Sequence, residues 1–180
     1  KEYGGGIEEL PLNLSPSTGD DMGVAGVPNP ILGDINVRRA LELAIDKNEI
    51  VDGILGGLPR VTASHVPGGW GFNPNIPLSE YNPELAAQML TDAGWVDSDG
   101  DGVREKDGVR MHLTMMGSTA RYRLLYMQLI QQEWADIGVE MEILTPEPSV
   151  RWAAYNEGGP VRQGAADVQA WGTGFGLDPI

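Results

Sequence analysis

VRMHLTMMGSTARYRLLYMQLIQQEWADIGVEMEI, residues 109–143, is the stretch whose reading decides the fold class. Val109, Met111, Leu113 and Met115 alternate with Arg110, His112 and Thr114, the period of a half-buried strand. Ser118 or Thr119 is then placed to cap a long helix. Its apolar face, Tyr122, Leu125, Tyr126, Leu129 and Ile130, recurs at helical spacing, and Gly138 stops it. Val139, Met141 and Ile143 alternate with Glu140 and Glu142 in a second strand. Strand, helix and strand in that order predict an α/β layer with a crossover connection. Downstream, the pattern continues with a short helix near Ser149–Asn156 and a strand at about Asp167–Trp171.

Upstream the chain reads as helical behind an irregular start. The first 33 residues show no period apart from a short strand at Leu10–Leu14. Asp34 is an N-cap for a helix whose inner face is Val37, Ala40, Leu41, Ala44 and Ile45. Asp46 with Glu49 has the spacing of a capping box for a second helix, ended by Gly56 and Gly57. Asn82 caps a third, with Pro83 at its first position and Leu85, Ala86, Met89, Leu90 and Ala93 as its buried stripe. Between them Leu58–Glu80 has no period but holds four prolines, His65, Trp70 and Phe72. A long loop inside a domain is commonly functional.

The chain has 180 residues, 41% hydrophobic and 21% charged, which suits one folded domain with a single core. A formal charge of −14 makes nucleic acid and anionic membrane surfaces poor partners, since both reward clustered Lys and Arg. Without cysteine there are no disulfides, thiolate metal sites or cysteine nucleophile, a composition compatible with export. No apolar run approaches the roughly 20 residues that span a bilayer. KEYGGGIEELPLNL lacks the basic and apolar regions of a signal peptide, which is expected upstream, and the closing LDPI completes no element, so an excised segment is expected.

DSDGDGVREKDG, residues 97–108, carries the sharpest local chemistry. Asp97, Asp99 and Asp101 at alternate positions before Gly102 open like a calcium loop, with Glu105 as a fourth candidate ligand. Gly108 stands where a bidentate Glu belongs, so a tight acidic turn between helix and strand is the plainer reading. GTGFG, residues 172–176, lacks the third glycine and the helix of a dinucleotide loop. His112 points outward on its strand, and His65 in the long loop is free to face a ligand. There is no nucleophile elbow. The carboxylate pairs Glu8-Glu9 and Asp20-Asp21 lie in irregular polar sequence. Trp134 and Trp152, on helices, read as packing. Trp70 and Trp171, flanked by small residues at a loop and a strand end, read as walls of a ligand cleft.

Four segments in order then resemble the family 5 solute-binding proteins, the dipeptide, oligopeptide and nickel receptors of ABC importers. They are GDINVRRALELAIDKNEIVDGILGG (33–57), YNPELAAQMLTDAGWVDSDGDGVREKDGVRMHL (81–113), QQEWADIGV (131–139) and ADVQAWGTGFGLDP (166–179). The resemblance implies an α/β fold, one lobe of a two-lobed, type II-like periplasmic-binding-protein architecture with a mixed sheet flanked by helices. Residues 1–180 would be most of the second, C-terminal lobe, residues 1–33 a lead-in from the hinge, and the first lobe absent. It implies an extracytoplasmic component, in the periplasm or on the outer face of the membrane, that performs no catalysis and needs no cofactor. That component would hold peptide-like cargo between lobes and present it to permease subunits. The family's cleft tryptophan falls on Trp171, with Ala170 where a glycine is usual. The aspartate that captures a peptide amino terminus in the peptide-binding members falls on Gly174, leaving Asp178 as a substitute. The ligand set is therefore Trp171, Trp70, His65 and Asp178. A calcium-stabilised structural or interaction domain built on Asp97, Asp99, Asp101 and Glu105 is the alternative.

Overall fold

The computed structural model describes residues 5–63 and 72–175. In chain order the elements are β1 (Gly5–Glu9), α1 (Ile35–Leu43), α2 (Lys47–Glu49) continued by a π-helical turn (Ile50–Ile54), and α3 (Pro83–Asp92). Then come β2 (Glu105–Lys106), β3 (Val109–Arg110), β4 (His112–Met116), α4 (Arg121–Ala135), β5 (Glu140–Leu144) and α5 (Pro148–Arg151). A 3-10 turn (Tyr155–Glu157), α6 (Pro160–Gln163), β6 (Val168–Gln169) and β7 (Trp171–Phe175) complete the described chain.

The crossover expected over residues 109–143 is present. β4 pairs in parallel with β5 on one side and β6 on the other, giving the order β5-β4-β6. The sheet becomes mixed at its β6 edge, where Leu12 forms an antiparallel bridge to Val168. The Asn13 N–H donates to the Asp167 carbonyl at 2.7 Å and the Gln169 N–H to the Pro11 carbonyl at 3.0 Å. Met111, Leu113 and Met115 are fully buried, as alternation requires, but the strand breaks at Met111. Val109–Arg110 instead closes a hairpin with β2 around Asp107-Gly108, both at positive φ, the turn favoured by an Asp-Gly pair.

One hydrophobic core joins the sheet to the helices, with Leu32, Val37, Leu41, Leu90, Trp95, Met127, Ile130 and Trp134 all inside it. The α1 face is as its spacing predicts, and the Asp34 side chain accepts the Asn36 N–H. On α3, Ala86 and Leu90 are buried whereas Leu85 is exposed, so the inner stripe is narrower than its apolar pattern. On α4 the buried face is Tyr126, Met127, Ile130, Glu133 and Trp134. Tyr122 and Leu125 are exposed, a rotation of the stripe set by Trp134, whose Nε1–H donates to the Leu41 carbonyl at 3.1 Å.

Three local expectations are corrected. Neither Ser118 nor Thr119 caps α4. Its N-cap is Ala120, and the Ser118 hydroxyl accepts from Arg123 Nη1 at 2.8 Å. The Asp46–Glu49 box is half made: Asp46 accepts the Asn48 and Glu49 N–H groups, but its own N–H donates to Glu133 Oε1 at 3.1 Å, from α4. The strand placed at Leu10–Leu14 is a single bridge, and the regular strand lies earlier, at Gly5–Glu9.

The remaining lead-in is irregular yet tied down by one buried carboxylate. Asp167, just before β6, accepts Ser17 Oγ–H (2.7 Å) and Asn29 Nδ2–H (2.9 Å) on Oδ1. Its Oδ2 accepts the Thr114 N–H (2.8 Å) and hydroxyl (3.0 Å) from β4. Asn29 Oδ1 in turn accepts the N–H groups of Ile31 and Leu32, each at 2.9 Å. Polar groups in this stretch thus find internal partners where no ladder supplies them.

Candidate functional site

The predicted strand 167–171 is two strands in two sheets. Ala170 keeps to the parallel sheet, its N–H donating to the Met116 carbonyl at 2.8 Å. From Trp171 onward the chain pairs with β1 in an antiparallel ribbon, in the register Glu9↔Trp171, Glu8↔Gly172, Ile7↔Thr173 and Gly6↔Gly174. Trp171 therefore sits at the corner between the parallel sheet and this ribbon.

The register places acceptors beside it. Trp171 Nε1–H donates to Glu9 Oε1 at 3.0 Å, and the Thr173 hydroxyl donates to the same oxygen at 2.7 Å. The indole is held at its edge by a carboxylate, which leaves a face for stacking. That face meets Trp152, which follows α5: the ring centroids are 5.8 Å apart and the planes 13° from parallel. Trp152 is 46% exposed, so the pair forms a stacked apolar wall open to solvent.

Glu8, one residue away and on the other face of the ribbon, organises the start of α4. Its Oε1 accepts from the Arg123 guanidinium and from Tyr122 Oη at 3.0 Å, and its Oε2 accepts from Tyr126 Oη at 3.0 Å. Burial, with the Glu8 charge added, pushes both phenols up, so they stay protonated donors. Burial opposes the charge on Arg123, but the hydrogen bonds to Glu8 and Tyr126 outweigh it and its pKa is raised. Gly172 faces this cluster, and a Cβ there would lie 2.9 Å from Glu8 Oε1, an oxygen held in place by its donors. Between α4, α5 and β7 opens a depression of about 460 Å³ lined by Ser118, Arg123, Arg151, Trp152, Trp171 and the backbone of Gly172 to Gly174.

Of the ligand residues expected from sequence, Trp171 is on this wall, while Trp70, His65 and Asp178 lie outside the described residues. Gly174 is exposed at the rim, with nothing within 4 Å of where a Cβ would stand. Trp152, read from sequence as packing, is 46% exposed beside Trp171, and Arg151, not singled out in sequence, is buried on α5 with its guanidinium 5.2 Å from the Trp152 ring. The sole sequence signal was their place on the short helix expected ahead of the strand at about Asp167–Trp171.

The acidic loop lies elsewhere, between α3 and β3. Asp97, Asp99 and Glu105 bring one carboxylate oxygen each to within 4.8 Å of one another. Asp101 is not among them: it turns to Arg110, 2.5 Å away, which also pairs with Glu140. Asp97 already accepts the Gly100 and Gly102 N–H groups, Asp99 that of Asp101, and Glu105 the Ser98 N–H and hydroxyl. Arg104 anchors the loop by donating to the Ile137 and Trp95 carbonyls, each at 2.7 Å. Those bonds make the loop a connector between the ends of α3 and α4.

The family model described as bacterial extracellular solute-binding proteins, family 5, middle region, matches residues 1–179. The chain is similar to the oligopeptide-binding protein AppA of Bacillus subtilis, 33% identical over 135 residues, 72% of this chain and 24% of that protein. The structure of AppA in complex with a nonapeptide matches with a TM-score of 0.72 at 26% identity, over 97% of this chain and 34% of that one. NikZ from Campylobacter jejuni, in complex with Ni(L-His), matches with a TM-score of 0.73 at 26% identity, over 97% and 32%. The chain thus spans about a quarter of the length of the curated relative it matches. Because the family match runs through the crossover sheet, the acidic connector and the Trp171 corner alike, this chain belongs to the bacterial extracellular solute-binding proteins, family 5.

Proposed function

We propose that this chain supplies one wall of the cargo cleft in the extracytoplasmic solute-binding component of an ABC importer. The component binds peptide-like cargo between two lobes and hands it to permease subunits without catalysing a reaction. The observation that carries the reading is the Trp152–Trp171 stack, solvent-open, at the corner where the sheet passes into the β1–β7 ribbon. A ribbon that pairs the two ends of the described chain is the kind of place where a second lobe hinges. A flat aromatic wall there binds extended ligands through area and leaves polar neighbours to orient them. AppA with its nonapeptide and NikZ with Ni(L-His) support the receptor class and leave both peptide and metal-chelate cargo open. No helix of the described residues is long and apolar enough to cross a membrane.

The test is calorimetry of the full-length protein against a pooled di- to pentapeptide library, followed by nickel–histidine. Saturable binding that Trp171→Ala weakens supports the reading. Binding that survives Trp171→Ala unchanged removes the cleft from its proposed place. The second reading, a calcium-stabilised structural or interaction domain, draws on the Asp97, Asp99 and Glu105 cluster. It requires calcium to share those carboxylates with the N–H groups they already hold. A rise in Tm with millimolar calcium, abolished in Asp97→Asn, would favour it.

A further inference from the structure

Arg151 is a cation in an unusual position. It is only 4% exposed, yet among the described residues its Nε–H has no hydrogen-bond partner, and Nη2 makes one long bond, 3.3 Å, to the Ala170 carbonyl. Among the described residues no carboxylate pairs with it. The nearby Glu8 gives its oxygens to Arg123, Tyr122 and Tyr126 instead. Burial and the neighbouring Arg123 charge both lower the pKa of Arg151, the mark of a charge whose surroundings do not compensate it. A guanidinium carries five donors in a planar fork, and burying even one of them unmatched beside a charge is costly unless an acceptor arrives.

The guanidinium also lines the depression and stands over the Trp152 ring at 5.2 Å. Arg151 thus borders the one place where the receptor reading puts cargo. A carboxylate meets such a fork with two parallel hydrogen bonds, and the aromatic wall shields the pair from water. We propose that Arg151 is the carboxylate-binding residue of this cleft, and that cargo is recognised through a carboxylate beside the Trp152–Trp171 stack. The inference rests on the receptor reading above. The carboxylate is that of a peptide, at its C-terminus or on an acidic side chain, or that of a small chelator.

The experiment uses the full-length protein and paired probes: di- to pentapeptides as free acids and as C-terminal amides, peptides with and without an acidic side chain, and nickel–histidine. Calorimetry is expected to find tighter binding of carboxylate-bearing probes, lost by on the order of 30-fold or more in Arg151→Met. The matched neutral probe should bind wild type and variant alike. Which pair responds identifies the carboxylate's source. Equal affinity of every acid and its neutral counterpart for the wild type, or an unchanged acid affinity in Arg151→Met, overturns the proposal. A second measurement needs no cargo and separates this proposal from the receptor reading. In acetate, against chloride at equal ionic strength, the wild-type Tm should rise by about 2 °C through linkage, and the rise should vanish in Arg151→Met. If no probe in the panel binds, the receptor reading loses its support, while the acetate shift still decides for or against an anion site at Arg151.

Discussion

Asp167→Asn exchanges one oxygen for an NH2 group, and the fold offers that group nowhere to point. The buried carboxylate accepts four hydrogen bonds, two on each oxygen. If the new amide turns its NH2 toward β4, it faces the Thr114 backbone N–H, which cannot turn away. If it faces the other way, Ser17 can rotate its hydroxyl and accept, but Asn29 cannot flip, because its Oδ1 holds the Ile31 and Leu32 N–H groups. The less damaging choice therefore strands the Asn29 donor and removes charge assistance from the bonds that remain. Leaving one buried donor unmatched costs about 1–3 kcal/mol, and weakening the others adds to it, so the expected loss is about 3 kcal/mol. Relief of carboxylate desolvation works against this, but the four donors already offset that penalty in the native protein. Urea denaturation should show a lower midpoint at unchanged slope, and amide exchange should accelerate first at Ile31 and Leu32. A loss below about 1 kcal/mol, or full protection at those two amides, would refute the claim that Asp167 fastens the lead-in to the sheet.

Three further outcomes concern Glu133, Trp152 and Gly174. Burial, then the charges of Asp46, Asp136 and Glu49, pushes the Glu133 carboxyl up to about 7, against the single Asp46 N–H that favours its charge. Because the folded pKa lies above the ordinary 4.5, stability falls as pH rises from there to about 7 and stays reduced above it. Glu133→Gln should raise stability at pH 8 by up to about 3 kcal/mol and by little near pH 5; a pH-independent difference in Tm would refute the assignment. Trp152→Ala, at a half-exposed ring, should cost little stability yet weaken cargo binding about 10-fold or more, measured by calorimetry on the full-length protein. Unchanged affinity would take the ring out of the cleft. Gly174→Asp, with open space around the new Cβ, should fold normally and strengthen binding of peptides with a free amino terminus about 10-fold over N-acetylated ones. Equal affinities would mean the family's amino-terminal anchor cannot be restored at this position.

Much of the fold is legible because local and tertiary preferences agree. The α1 stripe has one apolar face and an aspartate cap, so spacing and burial coincide. The α4 stripe is less legible because apolar residues surround the helix from Tyr122 to Ile130. What fixes Trp134 inward is a contact with Leu41, far away in sequence, and Tyr126 and Ile130 are buried on the same side. The half-made box at Asp46 has the same origin: Glu133 takes the N–H that Glu49 was spaced to accept. β1 is nearly invisible, since GGIEE gains its strand character from the register with β7 and not from its own residues.

At the site the difference between legible and hidden residues is one of exposure and partner. Trp171 stands out in sequence because an aromatic between small residues at a strand end has little to pack against except a ligand. Arg151 and Trp152 look like the solvated end of a short helix. Their role depends on α5 closing against Ala170, 19 positions along the chain, which buries the arginine without giving it an acid. Two features of this wall also have the same electrostatic sense. The resemblance places an amine-binding aspartate where Gly174 stands, while the structure adds a buried, unmatched guanidinium at Arg151. Removing a negative charge from one rim and keeping a positive one at the wall both raise the local potential. A cargo oriented by its carboxylate suits that field better than one oriented by its amine. The acid–amide comparison and the Gly174→Asp variant therefore probe a single property, the sign of the charge by which the proposed cleft would orient its cargo.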